Sequence, residues 1–370
     1  MSTTAGLRFT ITPAGTLLGK AERERLLENP GFGQIFSEHL ISIRWDGKQG
    51  WHDAQLRPYA PLSLDPGTSF LHYAQGVFEG LKAFRQVDGS VAVFRPDAHA
   101  ARFRRSARRL ALPELPEDVF IQSIDQLVRQ DHDWVPSAAE QSYYLRPFMF
   151  ASDVGLGVHA GEEVTFLLIG SPSGSYFARG VKPVIVWLSE EYTRAAPGGT
   201  GEAKFGGNYA GSLMAQAQAV REGCDNVVWL DAAEHAYVEE MGGMNLAFVF
   251  GEGDRARVVT PELTGTLLPG ITRDSLLKLA GDLGYGAEER RVSVEEWRRG
   301  CADGTITEAF ACGTAAVITP IGEVRSAHGG WTIAGGQPGP VSMRLRKALV
   351  DIQRGGAPDP HGWRHPVALK

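Results

Sequence analysis

The stretch Ala195-Ala196-Pro197-Gly198-Gly199-Thr200-Gly201-Glu202-Ala203-Lys204-Phe205-Gly206-Gly207-Asn208-Tyr209-Ala210 decides how the chain is read. One lysine stands between glycines on both sides. Glycine accepts φ > 0 and lets a ligand come close to the backbone. A strand pattern, Val184 to Leu188, precedes the stretch. A helical face of Leu213, Ala217 and Val220, closed by Gly223, follows it. Sites concentrate on such connections. Taken alone, a lysine in a glycine loop is an ordinary solvated side chain. The sharper alternative is an amine that does covalent chemistry. Residues far from the stretch decide between them.

Length and composition narrow the field. A chain of 370 residues is too long for one ordinary core and predicts two domains. Apolar residues are 43% and charged residues 22%, a soluble composition. No apolar run approaches the ~18 residues needed to span a bilayer. The N-terminal residues lack the basic and apolar regions of a signal peptide. A net charge of -6 argues against broad nucleic-acid binding. Cys224, Cys301 and Cys312 are odd in number and far apart, with no CxxC, so neither a disulfide framework nor a metal site is expected. A cytoplasmic location fits. The nucleotide fingerprints fail: Gly199-Thr200-Gly201-Glu202-Ala203-Lys204 breaks G-x-G-x-x-G at its last position, and no G-x-x-x-x-G-K-[ST], H-E-x-x-H or G-x-S-x-G occurs.

The element pattern is strands, then helices, then strands, an α+β first half. Ile41–Trp45 alternates as a strand, and 56–64 reads as a second extended piece. Asp88-Gly89 makes a hairpin between a strand ending at Arg85 and Val91–Phe94. Pro96 opens a helix over 97–110, and a second helix covers 117–130. Strands follow at 141–150 and 164–170. Ser171 to Gly180 is the best linker. Domains of 1–171 and 184–370 are therefore expected, joined by residues 172–183. In the second half, Thr272 reads as the N-cap of a helix over 273–283, and Ser293-Val294-Glu295-Glu296 as a capping box.

Four features bear on chemistry. Arg102, Arg104, Arg105, Arg108 and Arg109 crowd one helix; a solvated basic face is the plain reading, and an anion site the sharper one. Pro269-Gly270-Ile271-Thr272 offers N–H groups at a helix start, which suits a phosphate or is simply a capped helix. Tyr237-Val238-Glu239-Glu240-Met241-Gly242-Gly243-Met244-Asn245 sets a carboxylate between apolar strands, either as a solvated turn or facing a cation. Gly313-Thr314-Ala315 offers bare amides or a plain turn.

Together these resemble, in order, the pyridoxal-phosphate enzymes of fold type IV, and most closely the branched-chain amino acid aminotransferases. The resemblance rests on Phe78-Glu79-Gly80-Leu81-Lys82-Ala83, Arg102 in Ala101–Ala107, Tyr144-Leu145-Arg146-Pro147 and Lys204–Tyr209. It continues through Glu240–Leu246, Leu268-Pro269-Gly270-Ile271-Thr272 and Gly313-Thr314-Ala315. It covers about residues 30 to 355. It implies a two-domain α/β fold like that of D-amino acid aminotransferase, a homodimer, and reversible ping-pong transamination between leucine, isoleucine or valine and 2-oxoglutarate.

The resemblance also implies roles. Lys204 would carry pyridoxal 5'-phosphate through its amine and shuttle the substrate proton. Glu240 would face the ring nitrogen, and Tyr209 the ring 3-oxygen. Arg102 with the Ile271 and Thr272 amides would hold the phosphate. The Thr314 and Ala315 amides would bind the α-carboxylate. Phe78, Tyr144 and Tyr176 would line the side-chain pocket, with Tyr73 reaching in from the partner subunit or nearby. Arg146 would meet the γ-carboxylate of glutamate. Two departures stand out. Gly243 replaces a threonine many relatives carry, and Ala316 and Thr319 stand where mammalian relatives have a C-x-x-C pair, so no thiol switch is expected. The competing readings are a D-amino acid aminotransferase or aminodeoxychorismate lyase, and a non-catalytic phosphate-binding protein.

Overall fold

The computed structural model describes residues 7–174 and 181–369. Chain contacts group the molecule into two units. One comprises Met1–Tyr176, Ala203–Gly206 and Ile352–Lys370; the other comprises Phe177–Glu202 and Gly207–Asp351. A single boundary near 171–183 would put Lys204 and the C-terminal segment in the second domain. Hydrogen bonding places them with the first unit instead. Phe78 N–H donates to Lys204 O (3.0 Å), Lys204 N–H donates to Ser106 Oγ (2.9 Å), and Val77 bridges Phe205. Arg364–Pro366 adds as a strand to Val91–Phe94. No local pattern could show this, because the partners lie about a hundred residues or more away in sequence.

In the first unit a nine-stranded sheet is described. Its central path runs Gly50–Pro58, His39–Asp46, Glu163–Ser173, Ser142–Ala151, Leu81–Arg85, Val91–Phe94. Antiparallel pairing of Leu81–Arg85 with Val91–Phe94 makes the expected hairpin. The extended piece expected over 56–64 stops at Pro58; Pro61 and Pro66 follow, and proline cannot donate to a ladder. Helices Pro96–Arg109 and Glu117–Gln130 lay Phe103, Ala107, Phe120 and Ile124 onto the sheet, where Phe103 meets Phe166 edge-on at 5.8 Å. Burying such side chains stabilises by roughly 1.5–3 kcal/mol each.

In the second unit Val238–Met241 pairs with both Asn226–Leu230 and Met244–Phe250. The path between those two runs through Val184–Ser189, Val317–Ser326 and Ile306–Gly313. The six strands therefore close on themselves, and Val238–Met241 is the closing stave. Phe248, Val259, Trp297 and Leu246 fill its core. Ser293 Oγ accepts the Glu296 N–H (3.0 Å) at the start of helix Val294–Asp303, as the capping box predicts. The other predicted cap is displaced. Helix Ile271–Asp282 begins after Gly270, with no side chain capping it, and Thr272 lies inside its first turn. Docking on a neighbour sets that start: a Cβ on Gly270 would lie 1.9 Å from Asn245 Oδ1. Among the described residues no helix is long and apolar enough to cross a membrane.

Candidate active site

The first unit gathers one set of the expected residues. Phe78 ends the strand Gly76–Phe78, and Glu79 continues it, donating its N–H to Pro147 O (2.7 Å). Glu79 is fully buried. Arg102 grips it with a fork, Nε to Oε1 at 2.6 Å and Nη2 to Oε2 at 2.8 Å, and His99 Nδ1 reaches Oε2 at 2.7 Å. His99 and Arg102 are three apart on one helix face, so the helix delivers both to one carboxylate. Burial alone would raise the Glu79 pKa, but Arg102 and His99 outweigh it and hold the carboxyl well below its usual range. Burial pushes the His99 pKa down, and its Nδ1 faces the Glu79 carboxylate. The neighbouring arginines of the run serve the surface: Arg104 pairs with Glu114 and Glu117, and Arg108 with Glu114.

Lys204 sits in the same unit with Nζ 4.9 Å from the Phe78 ring centroid. The Arg146 guanidinium lies 4.9 Å from that ring's centroid and 5.4 Å from that of Tyr144, whose hydroxyl accepts from Arg146 Nη2 (3.1 Å). Arg146 Nε is buried with no hydrogen-bond partner among the described residues. A largely apolar cavity of about 350 Å³ opens here, lined by Phe70, Val77, Phe78, Arg146, Met149 and Ile169 among others. Tyr73 is not part of that wall within the single chain. It is 41% exposed at the end of helix Ser69–Tyr73, and its hydroxyl donates to Leu156 O (2.5 Å). Tyr176 lies outside the described residues.

The second unit gathers the other set. Glu240 is 1% exposed on the closing strand. The two-residue turn Gly242-Gly243 puts Asn245 directly across from it. Oε1 accepts from Leu268 N–H (2.7 Å) and Asn245 Nδ2 (3.2 Å), and Arg194 Nε lies 2.9 Å from Oε2. Asn245 Nδ2 also donates to Leu268 O (2.9 Å). One amide thus ties the carboxylate to the Leu268–Thr272 segment that starts the helix. Tyr209 belongs with this set: a Cβ on Gly243 would come 3.1 Å from Tyr209 Cε1, so the ring lies on the turn after Glu240. Thr314 and Ala315 occupy the turn between Ile306–Gly313 and Val317–Ser326, partly exposed.

The glycine stretch is an ordered loop. Thr200 Oγ1 and O bond the two ends of the Asn208 amide at 2.7 and 2.8 Å, and Arg194 Nη2 donates to Gly201 O (3.2 Å). A Cβ on Gly201 would lie 2.1 Å from Thr266 O, so only glycine fits. Arg194, Asn245, His99 and Glu79 are positions to which motif reading attached no role. His99 carried a signal in its spacing from Arg102. Arg194 carried none, because its charged partner Glu240 lies 46 positions away on another element.

Residues 76–324 match the amino-transferase class IV family, and the chain belongs to it. A Mycolicibacterium smegmatis protein named branched-chain-amino-acid aminotransferase is 59% identical over 96% of this chain and 97% of its own. The Mycobacterium tuberculosis H37Rv protein of that name is 58% identical over 98% of each. Among solved structures, the Escherichia coli branched-chain amino acid aminotransferase superposes with TM-score 0.73 at 30% identity, covering 90% of this chain and 99% of that one. The Thermobaculum terrenum branched-chain amino acid aminotransferase in its PLP form gives TM-score 0.73 at 25% identity, over 90% of this chain and 100% of that one. The mixed α/β fold expected from the resemblance is the one these structures share.

Proposed function

We propose that the chain is a pyridoxal-phosphate-dependent branched-chain amino acid aminotransferase that moves an amine between leucine, isoleucine or valine and 2-oxoglutarate. The carrying observation is the Glu240 carboxylate, buried on the barrel's closing strand and tied through Asn245 to Leu268, just before the start of helix Ile271–Asp282. A phosphorylated pyridinium needs an anion at one end and phosphate donors at the other, and this donor set fits both. When bound, the cofactor supplies an electron sink for the pair left at Cα as its proton departs.

The chain's own residues do the rest. Lys204 holds the cofactor through its amine and moves the proton at Cα. Two N–H donors and Arg194 serve the oxygens of Glu240, which faces the ring nitrogen as the anionic partner of its proton. Tyr209 serves the ring 3-oxygen. Arg102, its Nε and Nη2 held by Glu79, serves the phosphate with the Ile271 and Thr272 amides. The Thr314 and Ala315 amides orient the α-carboxylate. Phe78, Tyr144 and the apolar cavity take a branched side chain, and Arg146, with its unpartnered Nε, meets the γ-carboxylate of glutamate. Tyr73, from a second copy in a cytoplasmic homodimer or from nearby, completes the pocket.

The test is initial rates over a panel of L-amino acids with 2-oxoglutarate. Parallel double-reciprocal lines, with L-leucine far ahead of D-alanine, are expected. A colourless protein whose Lys204 stays unmodified by borohydride after cofactor is added would sink the proposal.

A further inference from the structure

We infer that Ser106 is a positioning residue for Lys204: its side-chain oxygen fixes the lysine backbone, and through it the origin of the amine. Lys204 lies along the strand Gly76–Phe78, where Val77 bridges Phe205 and Phe78 N–H donates to Lys204 O (3.0 Å). That bond holds only the carbonyl side of the residue. The Lys204 N–H finds its acceptor in Ser106 Oγ, at 2.9 Å, on the helix Pro96–Arg109. With its N–H and its carbonyl both held, the planar peptide units on either side of Lys204 Cα are fixed. The direction of the Cα–Cβ bond is then set, and only rotation within the side chain is left to the amine.

The same helix face holds more than the lysine. His99, Arg102 and Ser106 are all buried, and their spacing of three and four puts them in one row. The first two grip Glu79, and the third holds the Lys204 N–H. Four residues of helix rise about 6 Å. The helix is therefore a rigid spacer between the arginine assigned to the phosphate and the backbone of the lysine assigned to the other end of the cofactor. Phe78 belongs to the same frame: its N–H pins the Lys204 carbonyl, and its ring centroid lies 4.9 Å from Lys204 Nζ.

The plain alternative is a buried hydroxyl that only adds stability. Ser123 is such a group. It is fully buried on the helix Glu117–Gln130, and its Oγ donates to Val119 O (2.7 Å) in that same helix. Ser106 Oγ instead ties its helix to a residue 98 positions away. Loss of either hydroxyl removes one buried hydrogen bond. Only loss of Ser106 frees the lysine backbone, so the two serines separate positioning from stability.

The inference rests on the transaminase reading. Its test follows, by absorbance, the uptake of pyridoxal 5'-phosphate at Lys204 by cofactor-free protein, and then steady-state turnover of L-leucine with 2-oxoglutarate. Ser106→Ala should slow uptake about fivefold and lower kcat by a similar factor with KM for leucine unchanged, the worth of one neutral hydrogen bond. Ser123→Ala should match the parent in uptake and kcat, although it too loses a buried hydroxyl. Parental uptake and kcat in Ser106→Ala, or equal slowing in Ser123→Ala, overturns the inference. If Ser106→Ala does not fold, amide hydrogen exchange of the parent, resolved to single residues, decides. The Lys204 N–H should then be protected as well as the Phe78 N–H, and exchange at a free-loop rate overturns the inference. A parent that never takes up cofactor at Lys204 would instead count against the transaminase proposal, and protection of the Lys204 N–H is still read on that sample.

Discussion

Glu79 in the first unit and Glu240 in the second are both almost fully buried, and each lies against an arginine. Their surroundings differ. Glu79 takes a two-pronged fork from Arg102 and a third bond from His99, all from the helix Pro96–Arg109. Glu240 meets Arg194 through Nε, and its other oxygen takes two neutral N–H donors. A fork neutralises a carboxylate and fixes the guanidinium. Neutral donors keep a carboxylate charged without cancelling it. On the proposed function, the carboxylate is the anchor in the first unit and the arginine is the displayed group, whereas in the second the arginine is part of the anchor and the carboxylate is the displayed group. The same ion pair is thus used in opposite senses, so the two units should answer mutation differently.

The largest effect belongs to the residue where the chain leaves one unit for the other. Lys204→Ala removes the amine and should slow transamination by at least roughly a thousandfold, with the thermal midpoint within a few degrees of the parent. Single-turnover absorbance of the cofactor measures the rate. Full activity in this variant would refute both the proton-transfer role and the covalent one.

Glu79→Gln should act on stability instead. It strands a buried guanidinium, which costs roughly 3–5 kcal/mol, a fall in thermal midpoint on the order of 10 °C. The pH dependence gives the same contrast with a sign. The folded-state pKa of Glu79 is depressed below the ordinary 4.5. Its contribution is therefore complete above that value and is lost as pH falls below it. Melting curves should drop more steeply below about pH 4.5 in the parent than in Glu79→Gln; equal slopes would mean that the fork adds no stability.

Glu240→Gln should sort the other way. It keeps an oxygen for Leu268 N–H, so cofactor still binds, but the sink weakens, and the rate should fall about a hundredfold. A large loss of cofactor affinity with normal turnover would reverse the assignment of anchor and displayed group.

How much of this contrast was legible before folding follows from where each partner lies in sequence. The helices over Pro96–Arg109 and Glu117–Gln130 announce themselves by local period and by Pro96. So does the Ser293 cap, whose partner is three residues away. Lys204, Tyr209, Glu240 and Arg102 were legible as a motif order, which named residues but not their holders. Arg194 reaches Glu240 across 46 positions, and no periodicity encodes that. The misplaced cap at Thr272 has the same origin: the helix start is set by Asn245, 25 residues before Gly270. The attachment of Ala203–Gly206 to the first unit likewise depends on Phe78 and Ser106. Local rules read elements, whereas the groups that orient a working side chain arrive from other elements.

The finest division between the two carboxylates lies in their neutral donors. Asn245→Ala removes one of two N–H donors from Glu240 Oε1 and leaves Leu268 N–H in place. A neutral hydrogen bond is worth roughly 1 kcal/mol, so a fall in rate of about fivefold is expected. His99→Ala removes the matching donor from Glu79 and leaves the Arg102 fork intact. It should lower the thermal midpoint by a few degrees and leave turnover with bound cofactor near the parent value. Rates and melting curves for the pair decide the matter together. If Asn245→Ala only destabilised and His99→Ala only slowed the reaction, the carboxylates would have exchanged their places as anchor and displayed group.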